Sequence, residues 1–204
     1  MYTALLASSQ TLANFLQAQF ENDPNLQTLF DSGMGGLMTV SLRNPEEMAE
    51  KNDQGLSLWL YRITRDEDRL NDPPIRVARS LFHEPPLPLR LHYLCTPIVE
   101  AATANNAEIE QRILGKVLQT FYGHPSFRGS DLAGDFSGTN AELRSRIEPM
   151  SLEDSTRIWN ALKQPYQLSV SYEVTLANID SEVFESNMPV MQVEPDYAGI
   201  VKES

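Results

Sequence analysis

The chain has 204 residues, of which 41% are apolar and 22% charged, with a formal net charge of -12. A chain this long buries about 70% of its unfolded surface, so one domain with extensions, or two small domains, can fold without cross-links. The acidic balance excludes a general nucleic-acid binder and a polybasic membrane anchor, because both need clustered Lys and Arg.

Cys95 stands alone, which rules out an intramolecular disulfide and a cysteine-rich zinc site and fits a reducing compartment. No Lys or Arg precedes Arg43, and Gln10, Asn14, Gln17 and Gln19 interrupt the first apolar stretch. These features, with no run of about 18 apolar residues, predict a soluble chain without a cleavable leader or membrane span.

In chain order, Leu5, Leu12, Leu16 and Phe20, with Ala13 beside them, recur at helical spacing, and Ser, Gln and Asn fill the other face. Asp23-Pro24 predicts the stop. The run Gly33-Met34-Gly35-Gly36 predicts a tight turn, since neither the Lys-Ser of a phosphate loop nor dinucleotide spacing follows. A short strand is expected within residues 36–43. Leu56, Leu58 and Leu60 alternate with Ser57, Trp59 and Tyr61, and Leu87, Leu89, Leu91 and Tyr93 alternate with Pro88, Arg90 and His92. Residues 66–86, charged and holding Pro73, Pro74, Pro85 and Pro86, read as a long loop.

Ile109, Ile113, Leu114, Val117, Leu118 and Phe121 form the stripe of a second helix; Ile113, Leu114, Val117 and Leu118 are expected in the core, the alternative being that they line a contact between subunits. Asn105 is its expected cap, Glu108 the capping-box partner and Gly123 the stop. Residues 124–139, with Gly129, Gly134 and Gly138, read as a second long loop. Ser151-Leu152-Glu153-Asp154 opens a short helix through Trp159 and Leu162, ended by Pro165, with Trp159 expected against the sheet. Leu168, Val170, Tyr172, Val174 and Leu176 then alternate with Ser169, Ser171, Glu173 and Thr175. Beyond Ile179, the weak apolar groups Val183-Phe184, 190–193 and Ile200-Val201 predict a strand or an arm ordered against a partner. The expected fold is α+β: a mostly antiparallel sheet flanked by helices over residues 1–179, with a C-terminal arm over 180–204.

Chemistry is sparsely signalled. His124, Asp131 and Asp135 are the best case for a small enzyme or a metal site, yet their spacing matches no ligand pattern, and turn formers are the simpler reading. His92 reads as a satisfied or exposed strand residue, and Cys95 as a small buried hydrophobe. His83-Glu84 lacks the second histidine of a zinc helix, and Ser8 and Ser9 lack a nucleophile elbow. Glu46-Glu47 and Asp66-Glu67-Asp68 read as solvated loops. No catalytic residue, metal or cofactor is expected. Phe127, Arg128, Leu132 and Phe136, set among polar loop residues, are the residue types that anchor interfaces and are the expected partner-binding group. The alternative is a loop folded back over the sheet, with Phe127 and Phe136 plugging the core.

Two stretches carry a resemblance. One is Glu110-Gln111-Arg112-Ile113-Leu114-Gly115-Lys116-Val117-Leu118, followed by Pro125. The other is Ile158-Trp159-Asn160-Ala161-Leu162 with Pro165-Tyr166-Gln167-Leu168-Ser169-Val170-Ser171-Tyr172-Glu173-Val174. Residues 91–97, Leu-His-Tyr-Leu-Cys-Thr-Pro, fit the strand before the first. In this order they resemble the N-terminal domain of the tube-terminator, or cap, proteins of extracellular contractile injection systems, the phage-tail-like particles, over the chain up to about Ile179. The resemblance implies a fold similar to phage tail terminators and a structural, non-catalytic role. It implies a homohexameric ring on the end of the inner tube, in contact with the tube protein and the last sheath ring. It also implies assembly in the cytoplasm as part of a released or membrane-anchored particle, without nucleic acid or direct membrane insertion.

Overall fold

A computed structural model of the chain describes residues 2–69, 75–78, 81–83, 87–179 and 184–186. The first apolar stripe forms α1 (Ala4–Glu21), followed by α2 (Gln27–Phe30), β1 (Thr39–Ser41), α3 (Pro45–Glu50) and β2 (Gly55–Arg65). Next come β3 (Ile75–Ala78), β4 (Leu81–His83), β5 (Leu87–Ile98), α4 (Asn106–Gly123) and β6 (Ser126–Arg128). The described chain ends with β7 (Glu142–Glu148), α5 (Leu152–Ala161), β8 (Val170–Ile179) and β9 (Phe184–Ser186).

Six strands form one sheet in the order β1-β2-β5-β8-β7-β6, and β3-β4-β9 form a second, antiparallel sheet. In the main sheet only β1 and β2 run parallel. Their pairing depends on Gly55, whose φ is +128° and where a Cβ would lie 2.2 Å from the Thr39 carbonyl oxygen. The architecture is the expected α+β one.

The core follows from the alternation. Leu56 and Leu58 on β2, Leu89, Leu91, Tyr93 and Cys95 on β5, and Tyr172 and Val174 on β8 turn to one face. There they meet Leu12, Leu16 and Phe20 of α1 and Ile113, Leu114, Val117 and Phe121 of α4. On the other face α5 seats Trp159 against Leu94, with Trp59 and Tyr61 beside it. The Ser151 hydroxyl accepts the Asp154 amide at 3.1 Å, which caps α5 as its sequence predicts. Among the described residues no helix is long and apolar enough to cross a membrane.

Several elements differ from expectation. The 66–86 stretch holds β3 and β4; these three- and four-residue strands are too short for alternation to register, and the rest of the stretch lies outside the described residues. The 124–139 stretch contains β6 and two 3-10 turns, Gly129–Asp131 and Gly134–Phe136. Leu118 is 37% exposed rather than core, because it sits on the edge of the α4 stripe beyond the reach of the sheet. Asn105 takes a left-handed conformation (φ 60°) and makes no side-chain cap, so the Asn105–Glu108 box does not form. Gly123 is the last helical residue rather than the one beyond it. Leu168 is exposed just before β8. Phe184 falls in β9, whereas Val183, 190–193 and Ile200-Val201 lie outside the described residues.

The polar face of α1 also departs from the simple stripe, since Ser8, Ser9 and Thr11 are buried. Each hydroxyl donates back to the carbonyl four residues earlier, at 2.8, 3.0 and 2.8 Å, and Ser9 also pairs with the Tyr93 hydroxyl at 2.8 Å. With its polar groups satisfied this way, a short hydroxyl side chain packs like an alanine.

Leu114→Ala should lower stability by about 2–5 kcal/mol, because it empties a fully packed site. Leu118→Ala should cost less than about 1 kcal/mol, as surface changes do. Urea unfolding of both variants checks the pair, and equal losses would contradict the placement of α4.

Candidate interaction site

The loop residues singled out from sequence do not converge. His124 Nε2 lies 3.0 Å from Asp131 Oδ2, and its ring stacks on Phe15 at 4.7 Å. Asp131 also accepts the Arg128 amide, which makes it a turn residue. Asp135 points elsewhere and accepts the Thr3 hydroxyl at the start of α1. A pair and a separate aspartate cannot act as a three-residue site.

The expected exposure of the aromatics is corrected by the structure. Phe127, Leu132 and Phe136 are buried, and Phe127 packs edge-on to Phe15 and Phe121. The small residues of α1 are the reason. Ala4 and Ala7 leave a trough, and Thr11 Oγ1 accepts the Ala133 amide at 2.9 Å, which draws the 3-10 turns onto the helix. Gly134 (φ +58°) crosses so closely that a Cβ would lie 2.8 Å from Gln10 Oε1 and 3.4 Å from Ala7 Cβ. Of the four residues only Arg128 is exposed. It pairs with Glu142 at 2.6 Å beside Arg144. Bonds from Arg144 and Ser126, and then Arg128, hold the Glu142 carboxyl down at about 2.

A polar network that the sequence reading did not assemble occupies the sheet face away from α1 and α4. Strand register lines up Arg62, His92, Glu173 and Arg146 in one row across β2, β5, β8 and β7. The next row is Thr64, Arg90, Thr175 and Arg144. His92 is buried between Glu148 Oε1 (3.0 Å from Nδ1) and Thr64 Oγ1 (2.9 Å from Nε2). Glu148 Oε2 accepts the Ser171 and Tyr61 hydroxyls at 2.7 and 3.1 Å. Glu173 is held by Arg146 at 3.0 Å and Arg90 at 3.6 Å, and Arg90 reaches on to Asp66 at 2.6 Å and to Asp68. Each contact spans tens of residues, so no local spacing announces it.

His92, Glu148 and Glu173 each offer a ligand atom, all within 4.8 Å of one another. Their chemistry opposes a cation, because Arg62, Arg90 and Arg146 already neutralise the two carboxylates. Burial raises the Glu148 carboxyl, but hydrogen bonds from Ser171, His92 and Tyr61 outweigh it and leave the group below its ordinary value. Burial pushes the Cys95 thiol up to about 12, which leaves it inert, as its place in the core requires.

Apolar surface gathers instead at the outer edge of β7. Strand β6 pairs only with Glu142, Leu143 and Arg144, so among the described residues no strand lies on the outer side of β7 from Arg146 to Glu148, where only β8 flanks it on the inner side. Between this edge and the last turns of α4 runs a groove of about 640 Å³, lined by Leu118, Phe121, Tyr122, Pro125, Ile147 and Tyr172. A second groove of about 630 Å³, lined by Met150, Leu152, Tyr166 and Val170, shares Ile147 with the first. Tyr122 is 91% exposed, and Leu152, Ile147 and Tyr166 are exposed with it. Large exposed apolar patches mark contacts with other molecules, and these side chains are the candidates for such a patch here. The sequence signal for it was Leu118, the member of the helical stripe that the core does not use.

Glu148→Gln should lower stability by about 1–3 kcal/mol at pH 7, by weakening its charge-assisted hydrogen bonds. The folded pKa of Glu148 is depressed, so its contribution is present above the ordinary glutamate range and lost as pH falls through the lowered value. Urea midpoints between pH 7 and pH 3 should therefore fall less steeply for the variant. An unchanged acid limb would contradict the role given to Glu148.

Comparison with solved structures places the fold. The sheath/tube terminator of the PVC extracellular contractile injection system, in its extended state, matches 98% of this chain with a TM-score of 0.59 at 18% identity. The tube-terminating cap of the anti-feeding prophage matches 87% of the chain with a TM-score of 0.49 at 17% identity. The chain spans 65% and 62% of the lengths of those two proteins. Comparison with curated proteins gives no match. Residues 7–192 match the Pvc16 N-terminal domain model, and the chain belongs to that family.

Proposed function

We propose that this chain is a structural terminator of a contractile injection particle. It forms a homohexameric ring on the last layer of the inner tube and joins that layer to the sheath. Membership of the Pvc16 N-terminal domain family over residues 7–192 carries this reading. The likeness in fold to a sheath/tube terminator, over nearly the whole chain, supports it.

Physical argument makes the role intelligible. A stacked tube is a head-to-tail assembly whose last ring exposes an unsatisfied binding face. A terminator must complement that face on one side and present no copy of it on the other, and elongation then stops. Such work needs docking surface and a rigid body rather than a catalytic constellation. The open β7 edge and its grooves supply surface, and the ion-paired sheet beneath supplies rigidity. In this reading the protein acts without catalysis, is assembled in the cytoplasm, and stays with the particle, contacting tube and sheath but not nucleic acid.

Deleting the chain should give particles with tubes of irregular length and sheaths detached at that end, seen by electron microscopy. Counting copies in purified wild-type particles should give a multiple of six. Tubes of normal length with attached sheaths in the deletion would overturn the proposal.

A further inference from the structure

We draw no further inference here: the strongest candidate, the apolar groove between the outer edge of β7 and the last turns of α4, carries nothing, because the arginines beside it are already paired with Glu142 and Glu173 and nothing in the structure shows what covers it.

Discussion

Strand β5 runs through the middle of the main sheet with side chains buried on both faces, and the two faces place opposite demands on the chain. Leu89, Leu91, Tyr93 and Cys95 need apolar cover, which α1 and α4 provide. Arg90 and Glu173 beside them need opposite charges and His92 needs hydrogen-bond partners, because a buried charge or polar group without one is costly. Sheet register meets that need. It sets Arg62, His92, Glu173 and Arg146 in one row, with Glu148 reaching in from the next. Near α5 the same face turns apolar, and Trp159 closes it over Leu94. One strand thus requires a helical layer on one side and an ion-paired layer on the other.

The helical layer imposes a constraint of its own. Helix α1 presents Ala4, Ala7, Ser8 and Thr11 rather than a continuous row of large side chains. Small residues let backbone approach, and the turns before β7 use that space to bring Leu132 and Phe136 into the core. A glycine-rich stretch with aromatics therefore acts as a clasp between the first helix and the far strands. Gly134 marks the crossing: its φ of +58° favours glycine, and a Cβ there would push the end of the Gln10 side chain aside.

Periodicity revealed what local patterns encode. The long helices, the alternating strands, the Ser151 cap and the α+β class were all legible, because each is written within a dozen residues. The polar network was not. Alternation marks Arg90 and His92 as a solvent face, and only the pairing of β5 with β2 and β8 shows that the face is crowded. The 124–139 stretch failed for a related reason. Its glycines signal turns correctly, but whether its aromatics face solvent or α1 depends on a contact with residues more than a hundred positions away. Leu118 looked like core because a helical stripe cannot say where its sheet ends.

The two edges of the main sheet are finished differently, and that asymmetry bears on assembly. At β1 the Val40 amide is taken by Gln17 Oε1 at 2.9 Å, so a side chain from α1 closes the edge against another strand. At β7 closure stops with the short β6, and beyond it Ile147 leads into grooves lined by exposed apolar side chains. Proteins ordinarily blunt an open edge with charge, bulges or a covering element, since it invites pairing. Here arginines guard the start of the open stretch, and apolar groups, rather than a covering strand, fill the rest. Such an edge is costly in a free monomer, and in the proposed particle-bound state a partner protein would cover it.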